Sequence, residues 1–180
     1  MKIVFLDMYN SNPGDIDTAM FKDFGEFITY DRTNPSDIKE RIKDAGIVIT
    51  NKVRLGKAEL EGTKVKFIAE AATGFDNIDL NALKELGIGL ANVPSYSTYS
   101  VVQLTLAHLL NVTNDVYSYA KNVRNGEWVD SRDFNFFLGT IHELAVKTAG
   151  IVGYGDIGQK VADAYRALGM KVIALSLIHI

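Results

Sequence analysis

The stretch that decides the fold is Thr148-Ala149-Gly150-Ile151-Val152-Gly153-Tyr154-Gly155-Asp156-Ile157-Gly158. Thr148–Val152 is a short β-branched and apolar run of strand type. Three glycines follow at G-x-G-x-x-G spacing, and Ile157–Leu168 then reads as a helix. A further strand is expected over Lys171–Ala174, which completes a β-α-β pattern. Each glycine has a separate physical task. Gly153 allows the tight turn out of the strand, Gly155 lets the backbone approach a pyrophosphate, and Gly158 lets the helix lie close to the strand. The unpaired N–H groups and dipole of the helix N-terminus favour a negatively charged group there. In this context the motif points to a dinucleotide. The fingerprint also asks for an acid about twenty positions on. Leu175-Ser176-Leu177-Ile178-His179-Ile180 supplies none, and Ser176 there leaves NADP open beside NAD.

The residues before this unit repeat the alternation of strand and helix. Strands are expected at Lys2–Leu6, Glu26–Tyr30, Ile47–Thr50, Lys66–Ala69 and Ile88–Ala91. Pro35 suits a first helical turn, with Ile38, Ile42 and Ala45 at helical spacing after it. Asp79 can cap a helix carrying Leu80, Leu83 and Leu86, and Gly87 can end it. Strands separated by helices imply a parallel sheet covered on both faces.

Between the two patterns, residues 98–124 contain neither Pro nor Gly, and Asn125-Gly126 follows with C-cap chemistry. One helix of ~40 Å is predicted here, crossing between two domains. Trp128, Phe134, Phe136 and Phe137 follow in a loop and are expected to anchor it to the protein.

Composition narrows the function. With 47% hydrophobic and 23% charged residues, a packed core is expected and disorder is not. The net charge of -3 and the lack of a basic cluster argue against a nucleic-acid partner. No Cys is present, and His108, His142 and His179 are scattered without ligand spacing, so no metal site is predicted. Neither an export signal nor a membrane-spanning run is visible, and a cytoplasmic protein is expected.

Several further stretches, in order, resemble the D-isomer-specific 2-hydroxyacid dehydrogenases, and most of all their glycerate dehydrogenase or hydroxypyruvate reductase branch. They are Ile49-Thr50-Asn51-Lys52-Val53, the loop Ala72-Thr73-Gly74-Phe75-Asp76-Asn77-Ile78-Asp79, and Asn92-Val93-Pro94-Ser95-Tyr96-Ser97-Thr98 with Ser100–Thr105. Gly126-Glu127-Trp128, Glu143-Leu144 and Lys147-Thr148 complete the set, and the match runs from Met1 to about Ala174. The resemblance implies an α/β architecture: a flavodoxin-like parallel-sheet substrate domain over 1–97, then a truncated Rossmann nucleotide-binding domain over 98–180. It implies an oxidoreductase acting on the CH–OH group of D-2-hydroxy acids with NAD or NADP. Thr73 and Gly74 would receive the substrate carboxylate on backbone N–H groups, Gly74 shaping an anion-binding nest. Thr73, Gly153, Gly155, Asp156, Ile157 and Gly158 would contact the cofactor. Asp76, Asn77 and Asp79 read as turn and cap residues.

The Arg, Glu and His that relatives use for catalysis lie beyond the glycine motif, and no residue of this chain is assigned to those roles. Residues 175–180 depart from the family pattern and match one reading frame of a common sequencing adaptor. The expectation is that they are foreign, that the gene continues, and that the fragment itself is inactive and poorly soluble. The full-length protein is expected to be a homodimer acting on a small 2-oxo or 2-hydroxy acid, with no membrane partner. Lactate, phosphoglycerate and formate are rival substrates. A dinucleotide-sensing co-repressor on the same fold is the rival of another class.

Overall fold

The computed structural model describes residues 1–177. The chain divides into two compact units, Met1–Pro94 and a second from Ser95 onward.

The first unit is a five-stranded parallel sheet. Its strands are β1 (Lys2–Phe5), β2 (Glu26–Thr29), β3 (Ile47–Thr50), β4 (Phe67–Glu70) and β5 (Gly89–Ala91). They lie in the order β2-β1-β3-β4-β5. All five expected strands are present, each with ends within a residue of the sequence reading. This is the flavodoxin-like order. Side chains alternate across β1: Val4 and Leu6 enter one core, and Ile3 and Phe5 the other. Helices α1 (Ile38–Ile42), α2 (Lys57–Leu60) and α3 (Leu80–Leu86) all supply the Val4 face, through Ile38, Ile42, Leu60 and Leu83. The opposite face is covered by Phe21 from a 3-10 segment, Ala19–Phe24. The split follows from handedness. The β1→β2 connection moves across the sheet in the opposite direction to the later ones, so a right-handed crossover puts it on the other face.

Local chemistry sets the ends of α3. The Asp79 carboxylate accepts from the N–H groups of Asn81 and Ala82, at 2.9 and 3.1 Å. Gly87 takes a left-handed conformation, φ 67°, that closes the helix.

In the second unit the expected single helix is two. α4 (Thr98–Asn114) and α5 (Val116–Arg124) meet at Asp115, which is left-handed with φ 47° and ψ 46°. The break needs no glycine. Thr113-Asn114-Asp115 is a run of weak helix formers, and Asp enters the left-handed region more readily than most residues. The predicted end of α5 is present: Asn125, Gly126 and Glu127 each donate a backbone N–H to its last turn. The aromatic loop also departs from expectation. Trp128, Phe134 and Phe137 are exposed, and Trp128 Nε1 donates to the Phe134 carbonyl at 2.6 Å within the loop itself. Phe136 alone of the four is half-buried, against Tyr119. β6 (Thr148–Val152), α6 (Asp156–Ala167) and β7 (Lys171–Leu175) form one parallel β-α-β unit. β7 runs one residue further than expected, so Leu175 pairs with Val152. Ile178–Ile180, half of the segment expected to be foreign, lie outside the described residues.

Candidate functional site

In the first unit, the ends of β1, β3 and β4 hold the chemistry. Asp7, just past β1, is 2% exposed. Its carboxylate accepts from Asn51 N at 2.9 Å, Lys52 N at 2.6 Å and Thr50 Oγ1 at 3.1 Å. Three donors on one buried carboxylate fix the course of the chain after β3. That course delivers Lys52 and Arg54 to a cleft of about 330 Å³, lined also by Asn51, Gly74, Asp76 and Asn77. The side chains of Lys52 and Arg54 are exposed and make no hydrogen bond or ion pair among the described residues. Both cations also line a neighbouring cleft of about 520 Å³ with Asp7, Arg32 and Val53. It opens where the strand order reverses between β1 and β3, the usual ligand crevice of an open parallel sheet.

The loop after β4 forms the other wall of the smaller cleft. Thr73 is pinned at two points: its hydroxyl donates to the Val93 carbonyl at 3.0 Å, and its carbonyl accepts from Asn92 Nδ2 at 2.8 Å. The backbone N–H groups of Thr73, Gly74, Phe75 and Asp76 have no partner among the described residues. Consecutive amide donors beside two unpaired cations form a surface that attracts an anion. Gly74 does not shape it as expected. It is not left-handed, and a Cβ there would meet only Asp76 Oδ2, at 4.0 Å. The amides are available because the loop has left the sheet, not because a glycine twists them. Asp79 caps α3 as expected, whereas Asn77 reaches out of its own turn, from Nδ2 to the Val53 carbonyl at 3.0 Å.

Sequence reasoning quoted Lys52 within a family-like stretch without giving it a role, and passed over Arg54 and Glu70. The available signal was charge at or within a few residues of the end of a buried strand run. Glu70, paired in register with Thr50, is 1% exposed, and burial pushes its carboxyl up to about 7.

In the second unit, the glycine turn carries the geometry its sequence implied. Gly153 has φ 94°, a conformation that side chains disfavour. A Cβ on Gly158 would lie 2.1 Å from the Gly153 carbonyl oxygen, so only glycine lets α6 sit this close to the turn. A Cβ on Gly155 would meet nothing within 4 Å. Among the described residues no atom crowds that position, which leaves the backbone there open to a ligand. The first-turn N–H groups of α6 are free of helical partners. The Asp156 carboxylate accepts from the Ser95 hydroxyl, which leaves its main chain for the turn. Ile157 is exposed, at 39%, and Ser176 follows β7. His108 and His142 are exposed, and His179 lies outside the described residues. No cluster of metal-ligating side chains occurs among the described residues, and no described helix is long and apolar enough to cross a membrane.

Residues 3–173 match the family described as D-isomer specific 2-hydroxyacid dehydrogenase, catalytic domain. The chain belongs to that family. It is 43% identical over 178 residues to a hydroxypyruvate reductase of Blautia hydrogenotrophica, covering 97% of this chain and 55% of the relative. It is 35% identical over 175 residues to a glycerate dehydrogenase of Methylorubrum extorquens, covering 96% and 55%. Both carry the names of the branch picked out by the sequence motifs. Among solved structures, an acyclic imino acid reductase in complex with NADPH and D-Arg superposes with a TM-score of 0.79 at 29% identity, over 98% of this chain and 56% of that one. The chain thus spans about half the length of the relatives it matches.

Proposed function

We propose that this chain is the front part of an NAD(P)-dependent dehydrogenase for small D-2-hydroxy acids, working as a hydroxypyruvate or glyoxylate reductase and, in reverse, a glycerate dehydrogenase. In this reading residues 1–97 form the substrate domain and residues 98–180 begin the nucleotide domain. The observation that carries it is the open loop at Thr73–Asp76, with four amides unpartnered among the described residues beside Lys52 and Arg54. The relatives named above support the substrate class.

The loop and turn geometry supports the following roles. Amides at Thr73 and Gly74 receive the substrate carboxylate, and the Lys52 and Arg54 charges draw the anion toward them. Gly153, Gly155 and Gly158 let a pyrophosphate lie on the N-terminus of α6, where the main chain of Asp156 and Ile157 supplies donors. A contact from Thr73 to the cofactor is part of the same reading, as the family resemblance implies. The bound nicotinamide would supply the hydride. The cation that polarises the carbonyl and the His–Glu pair that delivers the proton belong to the part of the protein beyond this chain. The chain by itself is accordingly inactive and poorly soluble, and the complete enzyme is a cytoplasmic homodimer.

The test is to express the complete reading frame and follow NADH and NADPH oxidation with hydroxypyruvate, glyoxylate and pyruvate. Turnover with the first two is expected. Tight NADH binding without turnover on any of the three would overturn the reading.

A further inference from the structure

Glu70 ends β4 with its carboxyl buried and only half satisfied. Oε2 accepts from Asn77 Nδ2 at 3.1 Å, while Oε1 is buried without a partner among the described residues. A buried acid with one hydrogen bond is costly, and such a group calls for an explanation. Its neighbour suggests one. Asn77 Nδ2 is shared between Glu70 and the Val53 carbonyl, and the main-chain carbonyl of Asn77 accepts from Leu55 N at 3.0 Å. Three segments therefore meet at this one side chain: the end of β4, the cation-bearing stretch Lys52–Leu55, and the turn that closes the Thr73–Asp76 loop. The charged groups acting on Glu70 are Asp7, at the end of β1, and Lys52, after β3. Burial and Asp7 favour the neutral acid, while the Asn77 hydrogen bond and Lys52 favour the carboxylate.

We propose that Glu70 is a proton-sensing positioning residue for the anion-binding loop: it holds Asn77 in either state, as a neutral acid it leaves the Thr73–Asp76 amides to an anion, and as a carboxylate it sets a buried negative charge behind them and weakens that binding. The inference rests on the reading of this loop as the substrate-carboxylate site. By linkage, an anion bound there raises the affinity of Glu70 for its proton by the same factor that protonation raises the affinity for the anion.

The experiment compares the complete protein with its Glu70→Gln variant, which keeps the shape and the acceptor but not the charge. Amide NMR shifts of Thr73–Asn77 and the Asn77 side chain are followed against pH, and KM and kcat for hydroxypyruvate are measured over the same range. In the wild type the loop signals are expected to move together with a midpoint near neutrality. KM rises about tenfold across it, the effect of one unit of coupling between the two sites. Glu70→Gln abolishes both steps and keeps KM at its low-pH value. Loop signals that do not titrate in the wild type, or a step that survives in Glu70→Gln, overturn the proposal. A loop step without a KM step supports the Glu70–Asn77 coupling and counts instead against this loop as the substrate site. Should Glu70→Gln fail to fold, the ¹³C carboxyl signal of Glu70 in the wild type decides. A midpoint shared with the loop amides supports the coupling, and a separate one overturns it.

Discussion

The two units use the same alternation of strand and helix but bury very different amounts of it. In the first, Val4, Leu6, Ile42, Val48 and Ile68 are at or near zero exposure, in a sheet with apolar clusters on both faces. In the second, Val161 and Ala162 are the only buried apolar residues among those described, while Val152, Ile173 and Leu175 on the two-stranded sheet are 88%, 64% and 50% exposed. Pattern alone therefore does not make a core. One β-α-β unit gives a sheet a direction and a turn, but covering both faces takes further strands and helices. The first unit is held by packing. In the second, the packing is that of α6 against α4 and against its own two strands.

That contrast can be broken or sharpened by mutation. The largest effect is expected from Leu6→Ala, which opens a cavity in the first core and costs about 3 kcal/mol in urea unfolding of that unit. An equal loss from an apolar truncation in the second unit would erase the difference between them. Next comes pH. Glu70 binds its proton more tightly folded than unfolded, with a folded value of about 7 against an ordinary 4.5. Its contribution to stability is thus full below 4.5 and is lost as pH rises through 4.5 to about 7. The difference is on the order of 3 kcal/mol, seen as a falling unfolding midpoint that Glu70→Gln flattens. Gly158→Ala drives a methyl into the Gly153 carbonyl and should destabilise the second unit by about 2 kcal/mol, with loss of NADH binding in the complete protein. Asp79→Ala removes the cap of α3 and costs about 1 kcal/mol by thermal unfolding. Ile173→Ala, on the exposed strand, should change stability by less than about 0.5 kcal/mol.

What could be read from sequence follows the same division. The five strands, the Asp79 cap, the Gly87 stop and the glycine turn each depend on a few adjacent residues, and each is present in the structure. The failures involve longer range or a conformational choice. Asp115 could have continued the helix, and only its left-handed backbone shows that it does not. The expectation that Trp128, Phe134 and Phe137 pack against the protein assumed a surface to receive them, and the described residues provide none. Lys52, Arg54 and Glu70 acquire meaning only when β3 and β4 pair with Thr50 opposite Glu70. Register brings those ends together, and register is not written in either strand alone.

The order β2-β1-β3-β4-β5 has a consequence for how the protein is made. Each strand after the first pairs with one that precedes it in the chain: β2 and β3 on either side of β1, then β4 on β3 and β5 on β4. Every hydrogen-bonded neighbour is already present when a strand leaves the ribosome, and the first sheet is complete by Ala91. The unit that carries Glu70 and the Thr73–Asp76 loop can therefore close during synthesis, while the glycine turn has yet to be translated.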